Sequence, residues 1–114
     1  MSGITGTSHS KSKVIGISKD TARVWVRFDA SAVAQDSFGV STMADSGTGE
    51  WTVNFRAPFT NINYAAAVMC QDWGGNYMHL RRIASQATTS CIVNCIQNNA
   101  YADSGNNHLI IFGD

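Results

Sequence analysis

The sequence predicts an all-β fold: a single antiparallel β-sandwich of jelly-roll-like type with a flexible N-terminal arm. Three observations lead there. Several short segments alternate apolar and polar residues with period two. Clusters of Gly, Asn, Asp and Ser separate them. No stretch carries the periodicity of an amphipathic helix. The chain has 114 residues and one proline, which suits one domain, placed at residues 14–114 behind an arm at residues 1–13.

The elements follow in order. The arm, MSGITGTSHSKSK, holds almost nothing apolar and cannot offset the entropy of ordering by burial, so it is expected to be flexible or ordered by a partner. Val14 and Ile17 are the first candidates for the folded part. TARVWVRFD then alternates strictly: Val24, Val26 and Phe28 point one way, Arg23, Trp25 and Arg27 the other. A tryptophan flanked by two arginines on the outer face fits an oligomer interface. Arginine stems lying over a partly exposed indole is the other reading.

SFGVSTMADS reads as a weaker strand around Phe38, Val40 and Met43. DSGTGE (Asp45 to Glu50) is a hairpin connection. WTVNF, with Trp51, Val53 and Phe55 on one face, is the clearest strand of the chain. RAPFTNIN carries the proline and turns the chain away. INYAAAVMCQDW predicts a buried strand around Tyr64 to Cys70, although its alanines also suit a short helix. GGN (Gly74 to Asn76) is a second hairpin signal. YMHLRRIA, SCIVNCIQ and HLIIF supply three more strands, for about seven in all, and NNAYADSGNN is expected to be an exposed polar loop.

Composition restricts the function more than it reveals it. Eight basic residues balance eight acidic ones, and charged residues are 14% of the chain, so nothing draws the chain to nucleic acid or an anionic membrane. No apolar run is long enough to span a bilayer, and the first residues lack the apolar centre of a secretion signal. A weakly charged surface near neutrality suits a protomer of an assembly.

Cys70, Cys91 and Cys95 are expected to be reduced. Cys91 and Cys95 would share one strand face about 13 Å apart, too far to bridge each other. A pairing of Cys70 with either of them stays open.

Nothing points to catalysis, and no cofactor or metal is expected. His9, His79 and His108 lie far apart without metal-ligand spacing. No serine sits in a nucleophile elbow, and the GTG at Gly47 to Gly49 lacks the helix that gives a phosphate loop its anion site. Asp29, Asp36, Asp45, Asp72, Asp103 and Asp114 fall where turns are predicted.

The segments SHSKSKVIG, DTARVWVRFD, SFGVSTMADSGTGEWTVNF, INYAAAV and the terminal HLIIFGD resemble a module that recurs in virion proteins of tailed bacteriophages. The resemblance runs from Ser8 to Asp114. It is most specific from Asp20 to Phe55, where the hairpin loop and both flanking strands agree in order and spacing. Ser31-Ala32-Val33 stands where that family has a glycine-rich turn, and Met43-Ala44 replaces Ile-Thr. The family offers no catalytic residues to carry over.

The resemblance implies a non-enzymatic structural protein of the virion, assembled in the host cytoplasm. It would be a small homotrimeric tail-fibre or tail-tip component contacting the host surface. A capsid decoration (cement) or head-fibre protein is the alternative. In either setting the arm, with Ile4, Thr5, His9, Lys11 and Lys13, would attach to other phage proteins. Trp73, Tyr77 and Tyr101, set among Asn and Gly, would form recognition loops for a host glycan or protein.

Overall fold

The computed structural model describes residues 21–70 and 79–114. The arm residues Ile4, Thr5, His9, Lys11 and Lys13, the first apolar pair Val14 and Ile17, the GGN hairpin and both Trp73 and Tyr77 lie outside them. The described chain forms nine strands and no helix: β1 (Ala22–Phe28), β2 (Ala34–Phe38), β3 (Val40–Gly47), β4 (Glu50–Phe55), β5 (Ala65–Cys70), β6 (His79–Gln86), β7 (Ser90–Gln97), β8 (Ala100–Tyr101) and β9 (Asn107–Phe112). Two antiparallel sheets make the β-sandwich. Sheet 1 has the order β2-β1-β9-β5; sheet 2 has the order β3-β4-β7-β6, with β8 added to β7.

Period-two alternation becomes two-sidedness. In β1 the residues Val24, Val26 and Phe28 are buried, and in β4 so are Trp51, Val53 and Phe55. From β9 and β7, Leu109, Ile111, Cys91, Val93 and Cys95 complete the layer between the sheets. Each large apolar side chain buried there contributes about 1.5–3 kcal/mol.

Phe28 meets Trp51 edge-on at 5.3 Å between ring centroids, a favoured aromatic geometry. The Trp51 indole N–H donates to the Ala30 carbonyl at 2.9 Å, fastening the β1–β2 loop to the core. Within that loop the Asp29 carboxylate accepts from the amides of Ser31 and Val33, an Asx-type turn. At the opposite end Phe55, Phe59 and Tyr64 close the sandwich with three ring contacts. Burial pushes the Cys91 thiol up to about 12. Tyr64 is also raised to about 12, first by burial and then by the neighbouring Cys91, against hydrogen bonds that lower it.

Four expectations are corrected. SFGVSTMADS is two strands, because Gly39 adopts φ +76° and the chain there leaves sheet 1 for sheet 2. Phe38 therefore stands exposed on sheet 1, while Val40 enters the core from sheet 2. The stretch from Ala65 is a strand but not a buried one: β5 ends sheet 1, and Ala65, Ala67 and Met69 face outward. NNAYADSGNN is not wholly an exposed loop. It supplies β8, and Ser104 and Asn107 are buried. Asn107 donates to the carbonyls of Phe28 and Ser104, holding the β8–β9 connection against the end of β1. Finally, the strands number nine among the described residues, not about seven, because of the break at Gly39 and the added β8.

The three cysteines are thiols, with Cys91 and Cys95 buried and Cys70 half-buried.

Candidate functional site

Among the described residues, the outer face of sheet 1 gathers most of the exposed large apolar side chains. Strand register arranges it in rows. The central row crosses all four strands as Phe38, Trp25, Ile110 and Ala67. The row towards the β8–β9 loop reads Asp36, Arg27, His108 and Met69. The row towards the C-terminus sets Ala22, Phe112 and Ala65 side by side. Five large side chains stand out: Trp25 is 37% exposed, Phe38 55%, Met69 66%, Ile110 38% and Phe112 37%. Together they present on the order of 500 Å² of apolar surface, the size at which a patch on a monomer is commonly an interaction site.

The face is not flat. A hollow of about 330 Å³ opens across β1, β9 and β5. Trp25, Arg27, Met69, His108 and Ile110 surround it, and Ala67 leaves its β5 side low. Among these side chains there is one imidazole and one guanidinium but no carboxylate, so the hollow suits an apolar side chain better than proton transfer.

The two arginines expected beside Trp25 leave it rather than cover it. Arg23 lies over the Phe59 ring at 4.7 Å, a cation–π contact at the end of the sandwich. Arg27 donates to the Asn106 side-chain oxygen at 3.1 Å, towards the opposite end. The indole thus stands between two guanidinium groups drawn in opposite directions. Of the expected interface trio, Trp25 and Arg27 belong to the face, whereas the charged head of Arg23 does not.

Sequence reasoning missed Phe38, Met69, Ile110 and Phe112. In HLIIF four apolar residues run together, so alternation cannot say which pair faces out. Only the pairing of β9 with β1 and β5 decides it.

Tyr101, expected in a recognition loop, lies on β8 in sheet 2. It is exposed and accepts a hydrogen bond from Arg82 at 3.4 Å. Sheet 2 also carries polar contacts nearby: Asn94, fully buried, donates to Glu50 at 3.0 Å, and Ser46 and Thr52 share a hydrogen bond at 2.7 Å. Among the described residues, the larger exposed apolar side chains gather on sheet 1, while the described part of sheet 2 adds Tyr101. Among the described residues no cluster of His, Cys, Asp or Glu could hold a metal ion, and no helix is long and apolar enough to cross a membrane. Compared with known proteins, the chain matches no family model, no curated sequence and no solved structure.

Proposed function

We propose that this chain is a non-enzymatic structural subunit of a bacteriophage virion, a small tail-fibre or tail-tip component that assembles through one sheet face and contacts the host surface. The observation that supports this best is the apolar outer face of sheet 1. A chain that keeps Trp25, Phe38, Met69, Ile110 and Phe112 at its surface gains stability when another protein covers them. The resemblance of residues 8–114 to virion modules supplies the setting. In this reading the sandwich is a rigid scaffold, the arm attaches it to other virion proteins, and Tyr101 with Trp73 and Tyr77 meets the host.

The test is competition for adsorption. Purified chain is added to host cells before the parent phage, and unadsorbed particles are counted. A dose-dependent loss of adsorption is the expected result. Unchanged adsorption, with the chain bound instead to emptied capsids in a pull-down, would overturn the tail assignment in favour of capsid decoration. Binding to neither cells nor particles would remove the virion reading.

A further inference from the structure

We infer that the outer face of sheet 1 is the interface of a two-fold symmetric homodimer, in which a second copy of this chain lies face to face with the first about an axis parallel to the strands. The inference deepens the assembly role proposed above and rests on its use of this face. The resemblance implies three copies; the geometry argues for two.

The argument starts from the rows. An axis running between β1 and β9 exchanges β1 with β9 and β2 with β5, keeping each row at its own height. In the central row, Phe38 of one copy then stands over Ala67 of the other, and Trp25 over Ile110. In the row towards the C-terminus, Ala22 stands over Phe112. Phe38 and Phe112 each meet an alanine, and the two large groups Trp25 and Ile110 meet beside the axis. The hollow of about 330 Å³ has its low side at Ala67, and Phe38, the most exposed aromatic of the central row, is the side chain this axis delivers to it. Two sheets stacked face to face settle about 10 Å apart and roughly 30° from parallel, so these pairings hold best near the axis.

The other in-plane axis, across the strands, fails on shape. It would set Phe38 on Phe38, Trp25 on Trp25 and Ala67 on Ala67, leaving hollow over hollow. It would also turn Arg27 of one copy towards the Arg23 end of the other.

Charge agrees with the first axis. Arg23 reaches Phe59, off the face, and Arg27 leans to Asn106, so neither guanidinium stands in the central row; in the adjoining row the axis sets Arg27 over His108 and Asp36 over Met69. Asp36 lies on the outermost strand. An apolar centre with charges at its margin is the usual anatomy of a protein interface. The area is also sufficient: the five apolar side chains give on the order of 500 Å². Ala65, Ala67, His108 and the arginine stems extend that towards the roughly 800 Å² per partner of a stable complex.

The test uses the purified full chain alone, so its outcome does not depend on any phage particle. Light scattering at micromolar concentrations is expected to give twice the 12.3 kDa of one chain; the mass of one chain or of three would overturn the inference. Register is read by cross-linking in a Cys70→Ser background. Copies carrying Phe38→Cys, mixed with copies carrying Ala67→Cys, are expected to be joined by a short thiol-reactive cross-linker, which spans the roughly 10 Å between facing sheets, only between unlike copies; Phe38→Cys copies that join each other would overturn it. Ala67→Trp fills the hollow from an exposed position and is expected to weaken dimerisation at least about tenfold while leaving the melting of dilute chain unchanged. A variant that still dimerises at wild-type strength would contradict the pairing of Phe38 with Ala67.

Discussion

Replacing Gly39 by alanine tests the corner on which the whole sandwich turns. Gly39 has φ +76°, and a Cβ placed there would lie 2.2 Å from the Arg23 carbonyl oxygen and 3.3 Å from a Val24 methyl. Two costs add. Holding a non-glycine residue in the left-handed region costs about 1–2 kcal/mol. Moving the β1 backbone away from the new methyl costs about 1–3 kcal/mol more, since the obstacle is main chain and not a side-chain tip. A loss of about 2–5 kcal/mol is a large share of the roughly 5–15 kcal/mol that holds a domain together. At about 4–8 °C per kcal/mol for a domain of this size, the melting temperature should fall by at least about 8 °C. Gly47→Ala is the control: its φ is +141°, but a Cβ there meets nothing within 4 Å. Circular dichroism melts of both variants read the difference. If Gly39→Ala melts with the wild type, or no lower than Gly47→Ala, the close approach to Arg23 is not what shapes the corner.

Three further outcomes are expected. Trp51→Phe removes the hydrogen bond to Ala30 and leaves space in the core, so urea denaturation should show a loss of about 2–4 kcal/mol; a loss below about 0.5 kcal/mol would argue against that bond as the loop's anchor. Asn107→Ala forfeits two donated hydrogen bonds at about 1–3 kcal/mol, and Asn107→Asp should cost more because it also buries a carboxylate; the reverse order in urea midpoints would refute this account. Stability should fall as pH rises from 9 towards 12. Cys91 and Tyr64 keep their protons to about 12 in the folded chain, against ordinary values of 9.0 and 10.0, so the unfolded chain loses protons first and is favoured. Each group adds a slope of up to about 1.4 kcal/mol per pH unit. A urea midpoint that stays flat from pH 8 to 11, or a slope that Cys91→Ala leaves unchanged, would contradict it.

The strands that carry their own alternation were legible in the sequence. β1 and β4 show which residues face the core without reference to any neighbour. The Asp45 to Glu50 turn announces itself by composition. What was not legible depends on contacts distant in the chain. Phe38 and Val40 are two residues apart, so period two assigns them one face. The positive φ that separates them is set by Gly39 meeting Arg23, sixteen positions earlier in the sequence. The same holds for the apolar face: its central row draws one residue from each of four strands, and no local pattern brings Phe38, Trp25, Ile110 and Ala67 together. Asn94 and Asn107 are fully buried, although their residue type reads as surface or turn, because Glu50 and the Phe28 and Ser104 carbonyls take up their amide protons.

The position of β9 between β1 and β5 orders events while the chain is being made. Sheet 2 has its four main strands once Gln97 has emerged from the ribosome. Sheet 1 at that moment is a β1–β2 hairpin and a separate β5, with no strand to join them. Ribosomes add residues at about 5–20 per second, so β9 emerges on the order of a second after β7. During that interval Val24, Val26 and Phe28 lack the second of their two pairing strands, and the nascent chain offers an incomplete apolar layer to whatever chaperone stands at the tunnel exit. The six-residue β9 works as a keystone, and a chain truncated ahead of it would be left as a half-closed sandwich prone to aggregation.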